Sequence, residues 1–413
     1  MRHQPLFPDA HDGCLEHVAP KETRQKKNGW PSVSALAGAT FTVVTSEMLP
    51  AGLLTPISRD LRVTEGTAGL TLTVTGLVAA VSAPLLIPAL RKFDRRAVLC
   101  ALMALLTAGN LLAAWSPGFS VMLAARVLVG IGMGGVWAIA ASLAVRLVPS
   151  KSIGSATSLI FSGIAVASVL GVPAGAYLGD LLGWRAAFVG AGGLSLVVLA
   201  ALAMSLPSLP TEREVRLGAM VRLAGVPRVR LGLIVVALIV IGHFAAYTYI
   251  RPVLEEVSGV SAGQIGTLLL VYGLFGVAGN FTSGAGAARS PRATLLALGG
   301  TLSVTMALVP LLGLTTLAAT ALLVVWGLAY GGVSVASQSW MLAAAPEARE
   351  ATSALFAGVF NAAIAAGALV GGLATDAAGT TAVMWLGGVF AAGAVLTLAT
   401  TGRRAPVATP SRT

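Results

Sequence analysis

Long apolar stretches recur along almost the whole chain, and they constrain its fold more than any other feature. A helix needs about 20 apolar residues to cross a bilayer, and about twelve stretches meet that criterion. Charged residues make up 10% of the sequence, against roughly 25% in an ordinary soluble domain, so they cannot cover a water-facing surface. The sequence therefore predicts an all-α integral membrane protein with twelve transmembrane helices. The predicted spans are 34–56, 66–90, 96–115, 118–147, 153–179, 183–205, 230–253, 262–287, 293–313, 315–345, 351–374 and 379–400.

The opening of the fifth predicted span returns in the eleventh. ATSLIFSG at 156–163 resembles ATSALFAG at 351–358, which lies 195 residues later, and Asp180 recurs as Asp376. Upstream, a further set recurs at a similar displacement: Gly134, Gly135, Val136 and Pro149 match Gly331, Gly332, Val333 and Pro346. Such self-similarity indicates an internal repeat, and a chance match of two Gly/Ala-rich helices is the alternative. The pattern favours two six-helix halves.

The polar, proline-punctuated and basic segment between the sixth and seventh spans is the longest internal interruption of the apolar pattern. Six helices return the chain to the side on which it started, so the two halves are expected to be related by an axis along the membrane normal. The predicted parts are an N-terminal cytoplasmic tail at 1–32, a six-helix half at 33–205, a cytoplasmic linker at 206–229, a second six-helix half at 230–400 and a cytoplasmic tail at 401–413.

Basic residues give the expected orientation, because short loops rich in Lys and Arg stay in the cytoplasm. If both termini are cytoplasmic, most of the 27 Lys and Arg residues face that side. Only four face outward: Arg59, Arg62, Arg185 and Arg251. This topology accounts for the net charge of +11 without a nucleic-acid partner. The N-terminal tail lacks the apolar core of a signal peptide, and Cys14 and Cys100 suggest neither a disulfide nor a metal site.

Four stretches resemble the major facilitator superfamily, in particular the bacterial twelve-helix drug:proton antiporters that include arabinose-efflux-type and chloramphenicol-exporter-type permeases. They are TSEMLPAGLLTPISRDL, RKFDRR, RVLVGIGMGG and SVLGVPAGAYLGDLLGWRAAF. The resemblance extends from about residue 33 to residue 400 and implies the major facilitator fold. It also implies secondary transport in a bacterial cytoplasmic (inner) membrane.

Glu47 is the acidic residue inside the predicted spans, about 13 residues into the first. An ionised side chain at that depth costs several kcal/mol by most estimates, so it must face a cavity, find a partner or carry a proton. The family resemblance links an acidic residue in the first helix to proton coupling and to cationic substrates. A purely structural hydrogen bond between helices is the alternative.

Arg126 opens RVLVGIGMGG, and Gly130 and Gly134 follow it at four-residue steps on one helix face. Small residues at this spacing let neighbouring backbones approach closely. The resemblance implies that Arg126 controls the proton site electrostatically. A structural clamp on backbone carbonyls is the alternative, and the two roles are compatible.

GVPAGAYLGD resembles the antiporter motif of the fifth helix, through Gly171, Pro173 and Gly175. Proline kinks a helix and flanking glycines allow a tight helix pair, so we expect a closely packed seal near the outer mouth. Such a seal favours exchange over passive conduction. The alternative is that Gly and Pro are simply common in membrane helices.

RKFDRR places Arg91, Asp94 and Arg95 in a loop between the second and third spans. By resemblance, Asp94 would pair with cationic groups when the cytoplasmic side closes. The stretch PALRKFDRR lacks the leading glycine of the family's loop motif, and the positive-inside rule alone explains its charges equally well.

Candidate substrate contacts lie mainly on the helices that line the central cavity of the resembling fold. They are Trp137, His243, Tyr247, Tyr330 and Gln338, with Asn361 on the eleventh span. His243 and Tyr247 are four residues apart and share a face. The structural alternatives are a hydrogen-bonded packing histidine, interfacial aromatic anchors and an asparagine that bridges helices. Largely apolar walls with few polar groups suit an amphiphilic or aromatic solute.

The sequence thus predicts a non-enzymatic, proton-coupled efflux transporter of a small amphiphilic solute such as a drug. The expected partners are that solute, protons and the lipid bilayer, with no cofactor and no nucleic acid, and the expected state is a monomer. Sugar or sugar-derivative efflux, an importer and a membrane receptor are the alternatives. No G-x-x-x-x-G-K-[ST] motif of an ATP-driven pump occurs, and a single intramembrane Glu and a single His do not supply the clustered ligands of a metal enzyme.

Overall fold

Twelve helices long and apolar enough to span a membrane confirm the predicted all-α membrane fold in the computed structural model. The structure describes residues 29–90, 92–149, 152–209 and 222–401. Within these ranges all regular structure is helical, with no strand. The terminal tails up to residue 28 and from 402, the linker residues 210–221 and Arg91 lie outside the described residues. The predicted division into two halves at the linker therefore stays a prediction.

The described helices match the predicted spans closely, and two spans are each divided into two helices. The helices are α1 (Trp30–Leu61), α2 (Glu65–Ala89), α3 (Arg95–Ala114), α4 (Phe119–Leu147), α5 (Ile153–Leu182), α6 (Trp184–Ser205), α7 (Pro227–Tyr247), α8 (Ile250–Glu256), α9 (Ala262–Arg289), α10 (Pro291–Leu312), α11 (Thr316–Gly331), α12 (Val333–Ala344), α13 (Arg349–Ala378) and α14 (Thr381–Thr401).

The seventh predicted span is broken after Tyr247, and α8 begins three residues later at Ile250. Pro252 explains the break, because it has no N–H to donate to the carbonyl of Thr248, four residues earlier. The tenth span is interrupted at Gly332. A Cβ built on that residue would lie 2.0 Å from Ser283 Oγ, so only glycine permits this approach.

Contacts between helices recur at about the same displacement along the chain as the sequence repeat. A Cβ on Gly130 would lie 2.7 Å from the carbonyl oxygen of Thr75, which brings α4 against α2. A Cβ on Gly327, 197 residues later, would lie 2.4 Å from the carbonyl oxygen of Tyr272, and α11 meets α9 in the same way. Both glycines allow a backbone approach that any side chain would prevent.

The contacts of α1 and α7 repeat as well. A Cβ on Gly171 of α5 would lie 3.3 Å from Thr45 Cα of α1, and a Cβ on Gly367 of α13 would lie 2.6 Å from the Ile241 carbonyl oxygen of α7. Each contact is displaced by 196 residues from the other. This register makes Glu47 and His243 equivalent positions.

The first six helices meet the last six chiefly through α2 with α13 and α5 with α9, while α1 also touches α8. We call the side of the bundle where α1 begins and α14 ends the terminal side, and the opposite side the far side. Several hydrogen bonds between the two sets of helices lie on the far side, where α1, α5 and α13 end and α2 begins. The faces turned outward from the bundle carry many exposed large apolar side chains, as expected of a lipid-facing surface.

Candidate functional site

Glu47 lies in the middle of α1 and is 4% exposed. Its Oε1 is buried and has no hydrogen-bond partner among the residues that the structure describes. Among the described side chains, Arg126 of α4 and Tyr330 of α11 interact with it electrostatically. Glu47 therefore interacts with one group from each set of six helices.

Arg126 is completely buried, and it binds the backbone of α1 beside Glu47. Its Nη2 donates to the Ser46 carbonyl oxygen at 2.7 Å, and its Nε donates to Thr75 Oγ1 at 3.0 Å. The Ser46 carbonyl is available because Pro50, four residues on, has no N–H to offer it. A proline in α1 thus creates the acceptor that the arginine uses.

The charges of Glu47 and Arg126 interact across a gap. In the part of the chain that the structure describes, no ion pair within 4.0 Å joins them, and Arg126 Nη1 is buried without a partner. Asn110 of α3 donates to Ser46 Oγ at 2.9 Å and has a buried, unpartnered Oδ1. Several polar atoms at this level of the bundle are thus left with unused hydrogen-bonding capacity, which is costly in a buried site.

An aromatic cluster lies in the last six helices, around His243. The His243 ring stacks on Tyr330, with centroids 3.3 Å apart and an interplanar angle of 7°. Tyr247 stacks on the same ring at 5.1 Å, and Tyr272 stacks on Tyr247 at 4.9 Å. Trp326 meets His243 edge-on at 5.8 Å. Phe244 also meets the imidazole edge-on, at 4.9 Å, so five aromatic side chains from α7, α9 and α11 surround it.

A hydrogen bond fixes the imidazole of His243. Trp326 Nε1 donates to His243 Nδ1 at 3.0 Å. Because an indole N–H can only donate, Nδ1 must accept and carries no proton. A neutral His243 consequently has its proton on Nε2, so it is a hydrogen-bond donor in a fixed orientation. Tyr330 adds a buried hydroxyl without a partner.

The structure brings together three of the predicted substrate contacts, His243, Tyr247 and Tyr330, and adds Tyr272 and Trp326, which the sequence analysis did not name. Trp326 stands four residues before Tyr330 on α11 and so shares its face. That spacing was a signal available in the sequence. Tyr272 has no such neighbour on α9, and its position depends on how α9 packs on α7.

The other predicted substrate contacts are not joined to this cluster. Gln338 is exposed and its Nε2 is 3.5 Å from Ser353 Oγ. Asn361 donates to the Ala357 carbonyl oxygen of its own helix at 2.9 Å. The side chain of Trp137 lies outside the described residues.

The predicted antiporter motif lies where α5 packs on α1. Gly175 allows the approach of Leu49, because a Cβ there would lie 2.6 Å from Leu49 Cδ1. Pro173 leaves the carbonyl of Val169 without its helical donor. A Cβ on Gly273 of α9 would lie 3.0 Å from that carbonyl oxygen. The motif therefore contacts both α1 and the last six helices.

Asp94 of the predicted gating loop caps α3 instead of pairing with a cation of the other helices. Its Oδ1 accepts from Arg96 N at 2.8 Å and its Oδ2 from Leu209 N at 2.8 Å. Ser208 Oγ also donates to it, and this bond in particular lowers the pKa of the Asp94 carboxyl. Arg95 donates from its backbone N–H to the Leu209 carbonyl oxygen at 3.1 Å. Both residues thus join the start of α3 to the chain after α6.

No group of three or more His, Cys, Asp or Glu side chains within the described ranges is placed to hold a metal ion. The ionisable groups at the centre of the bundle are Glu47, Arg126 and His243 with its tyrosines. This arrangement combines a titratable carboxyl group with stacking aromatic rings. It offers no nucleophile with an adjacent general base.

Comparison with known proteins identifies transporters throughout. The family model described as "Major Facilitator Superfamily" matches residues 36–357. The purine ribonucleoside efflux pump NepI of Escherichia coli O6:K15:H31 is 33% identical over 361 residues, which cover 87% of this chain and 91% of the pump. NepI of Shigella flexneri is likewise 33% identical over 361 residues, with the same coverage of both chains.

The fold matches a solved transporter at lower sequence identity. A bacterial homologue of the human lysosomal transporter Spinster, in an inward-facing and unoccupied conformation, superimposes with a TM-score of 0.74 at 16% identity. The match covers 91% of this chain and 97% of the homologue. It supports the arrangement of the helices and carries no information on the solute.

Proposed function

The chain belongs to the Major Facilitator Superfamily and is a multi-pass membrane transporter, not an enzyme, and from that premise we propose that it exports a small solute with an aromatic ring in exchange for protons. Alternating access about a site between the two sets of helices is the working mechanism. The solute that we put first is a purine ribonucleoside.

One observation carries the proposal: two buried, unpartnered polar atoms lie on opposite sets of helices within electrostatic reach of one another. They are Glu47 Oε1 and Tyr330 Oη. Tyr330 is also the ring that stacks on His243. A solute with hydrogen-bond donors at one end and a flat ring at the other matches this pairing of a carboxyl group with an aromatic cluster.

A purine ribonucleoside has both parts. Its ribose hydroxyls can donate to the Glu47 carboxylate, and its base can stack on the rings and use the N–H and O–H groups of His243 and Tyr330. The relatives from Escherichia coli and Shigella flexneri are purine ribonucleoside efflux pumps, which supports this choice. An amphiphilic drug with a flat ring shares the chemistry and remains the second candidate.

Glu47 provides a simple basis for exchange. An ionised carboxylate accepts hydrogen bonds from the solute, and a protonated one has lost most of that capacity. Proton and solute therefore compete for one group, so each crossing of the membrane carries one or the other. Arg126 stays charged and, bound to α1, favours deprotonation when the site opens to water.

Sugar or sugar-derivative efflux, solute import and a receptor role are the competing functions. The scarcity of side-chain amides at the centre argues against a sugar, and the unpaired carboxyl argues for proton coupling over facilitated uptake. We further propose that the protein lies in the bacterial inner membrane as a monomer with both termini cytoplasmic, because Lys and Arg are concentrated in the corresponding loops.

Purified protein in liposomes with a pH-sensitive dye inside tests the proposal. Adding inosine or adenosine to one side should move protons in the opposite direction, whereas ribose, which lacks the base, should not. Empty liposomes and the Arg126→Ala variant are the controls. If nucleosides move no protons while an amphiphilic antibiotic does, the second candidate solute replaces the first. If a solute and protons move in the same direction, import replaces export.

A further inference from the structure

Arg251 is a buried cation that the proposed proton and solute sites do not use. It lies in α8 and is 3% exposed. Its Nη2 donates to Asp180 Oδ1 at 2.9 Å, and its Nε donates to Glu255 Oε1 at 3.0 Å. Because Asp180 belongs to α5, this arginine joins the last six helices to the first six on the far side.

The third bond of Arg251 depends on a proline. Its Nη1 donates to the Gly52 carbonyl oxygen of α1 at 2.8 Å. In an uninterrupted helix, that carbonyl would accept from the residue four positions on, which is Pro56 and has no N–H. Pro50 supplies an acceptor to Arg126 in the same way. The two internal prolines of α1 thus each provide a carbonyl to a buried arginine, one from each set of helices.

A second contact on the far side repeats the first with the roles of the two sets exchanged. Asp376 of α13 is the repeat equivalent of Asp180. It accepts from Thr64 Oγ1 at 2.9 Å and from Gly66 N, at the start of α2, at 3.1 Å. Each aspartate therefore reaches the opposite set of helices. The two contacts together form what we call the far-side latch.

Buried apolar side chains lie under the far-side latch. Ala51 of α1, Leu72 of α2 and Ala368 of α13 form a separate cluster with at most 1% exposure. Ala51 precedes the Gly52 carbonyl that Arg251 binds, and Ala368 is eight residues, or about two turns, before Asp376. We therefore expect that opening the far-side latch would expose this cluster to water from the far side.

We infer that Arg251 is a positioning residue of the transport cycle, which holds α1 through the carbonyl freed by Pro56 and thereby closes the route from the far side to Glu47. The inference rests on the proposed alternating-access function. Gly52 is five residues beyond Glu47, about 7.5 Å along the helix axis. A displacement of α1 when Glu47 exchanges its ligand therefore acts directly on the bond to Arg251.

The test measures opening without any transported solute. Ala368→Cys is placed in a background with Cys14→Ser and Cys100→Ser, and a membrane-impermeant maleimide is added to the far side of sealed vesicles. Arg251→Gln, Asp180→Asn and Pro56→Ala are compared with the background. Pro310→Ala is the matched control. Pro310 also lies inside a helix, but no described hydrogen bond joins a buried arginine to the carbonyl that this proline leaves free.

Loss of a buried, charge-assisted hydrogen bond should raise the initial labelling rate at least about tenfold in all three variants, and Pro310→Ala should change it less than about twofold. Pro56→Ala is decisive, because it supplies an N–H to Gly52 and should favour a folded helix. Arg251→Lys should give an intermediate rate, since a point charge cannot make all three bonds of the planar fork. Unchanged labelling in Pro56→Ala and Arg251→Gln overturns the inference. Since labelling requires neither nucleoside nor proton gradient, it is independent of whether the proposed solute is correct.

Discussion

The first and last six helices pack through matching contacts but carry different chemistry at matching positions. Glu47 in α1 corresponds to His243 in α7, and Arg126 in α4 corresponds to Leu323 in α11. Charged groups thus occupy the first set and aromatic rings the last. Some of the glycines that set the distances between helices are kept in both, Gly130 with Gly327 and Gly171 with Gly367.

This difference suggests how a repeated fold acquires a site with two functions. Helix packing is set by small residues at fixed spacings, so it tolerates changes at the positions between them. In one set those positions hold a buried carboxyl group, and in the other they hold stacking rings. The proposed exchange of proton and solute requires both, which neither set could supply alone.

The largest expected effect comes from removing the charge that only the first set carries. Arg126→Ala removes the charge-assisted hydrogen bond to the Ser46 carbonyl, which costs about 1.5–3 kcal/mol, and takes away the cation near the Glu47 carboxyl, so coupled transport should be lost. The matched Leu323→Ala should reduce stability by about 2–5 kcal/mol through a cavity but keep coupling. Transport is measured at equal amounts of folded protein. An Arg126→Ala protein as active as the parent would show that the charge is dispensable.

Next in size is a change confined to the aromatic cluster. Trp326→Phe keeps an aromatic ring but removes the N–H that orients His243, so the KM for a nucleoside should rise about fivefold, as expected for a lost hydrogen bond of roughly 1 kcal/mol. The number of protons exchanged per solute should not change. Trp340→Phe, which loses a bond to the Arg228 carbonyl outside the cluster, is the control. An altered proton count with an unchanged KM would assign the cluster to coupling.

A pair of glycine substitutions tests the shared packing. Gly130→Ala and Gly327→Ala each force a Cβ against a carbonyl oxygen, and both should lower the free energy of unfolding by about 1–3 kcal/mol. Gly193→Ala has open space around its Cβ and should be neutral or stabilising. Thermal unfolding in detergent gives the comparison. A loss of stability in only one of these two variants would mean that the two sets of helices do not depend on the same contacts.

The smallest effect is expected at two helix caps that occupy matching positions in the two sets of helices. Asp94 caps α3 and Ser290, 196 residues later, caps α10. Because the folded pKa of Asp94 is lowered, its stabilisation is present above the unfolded value of about 3.9 and is lost as the pH falls through the folded value. Asp94→Asn should therefore lower the Tm at pH 7, with the difference shrinking in strong acid. Ser290→Ala should cost about 1 kcal/mol at either pH. Equal pH profiles for the two variants would contradict the ionised cap.

Most of the fold could be predicted from the sequence, because the length of each apolar stretch fixes a span whatever its neighbours are. The break after Tyr247 was not predicted, since the apolar pattern continues through it and only Pro252 marks it. Glu47 and Arg126 could be singled out as candidate site residues, because charge inside a span is rare and costly, and that role stays a prediction.

The parts of the site that depend on helix register could not be predicted. Arg251 was expected only as one of four basic residues on the outer side, yet it is buried between the two sets of helices. Its acceptor is a backbone carbonyl, whose availability depends on Pro56 and on the packing of α8 against α1. The hydrogen bond of Trp326 likewise requires the distance between α11 and α7, which no local pattern encodes.

Gradient-driven nucleoside transport by Glu47→Gln, beside the equivalent His243→Gln, tests most directly whether the first set of helices carries the proton. Glutamine keeps the shape and hydrogen bonding of Glu47 but cannot titrate. Reconstituted Glu47→Gln should exchange nucleoside down its own gradient but gain nothing from a proton gradient, whereas His243→Gln should remain proton-driven with weaker binding. Undiminished, pH-sensitive uphill transport by Glu47→Gln would contradict the account and move the proton site to another residue.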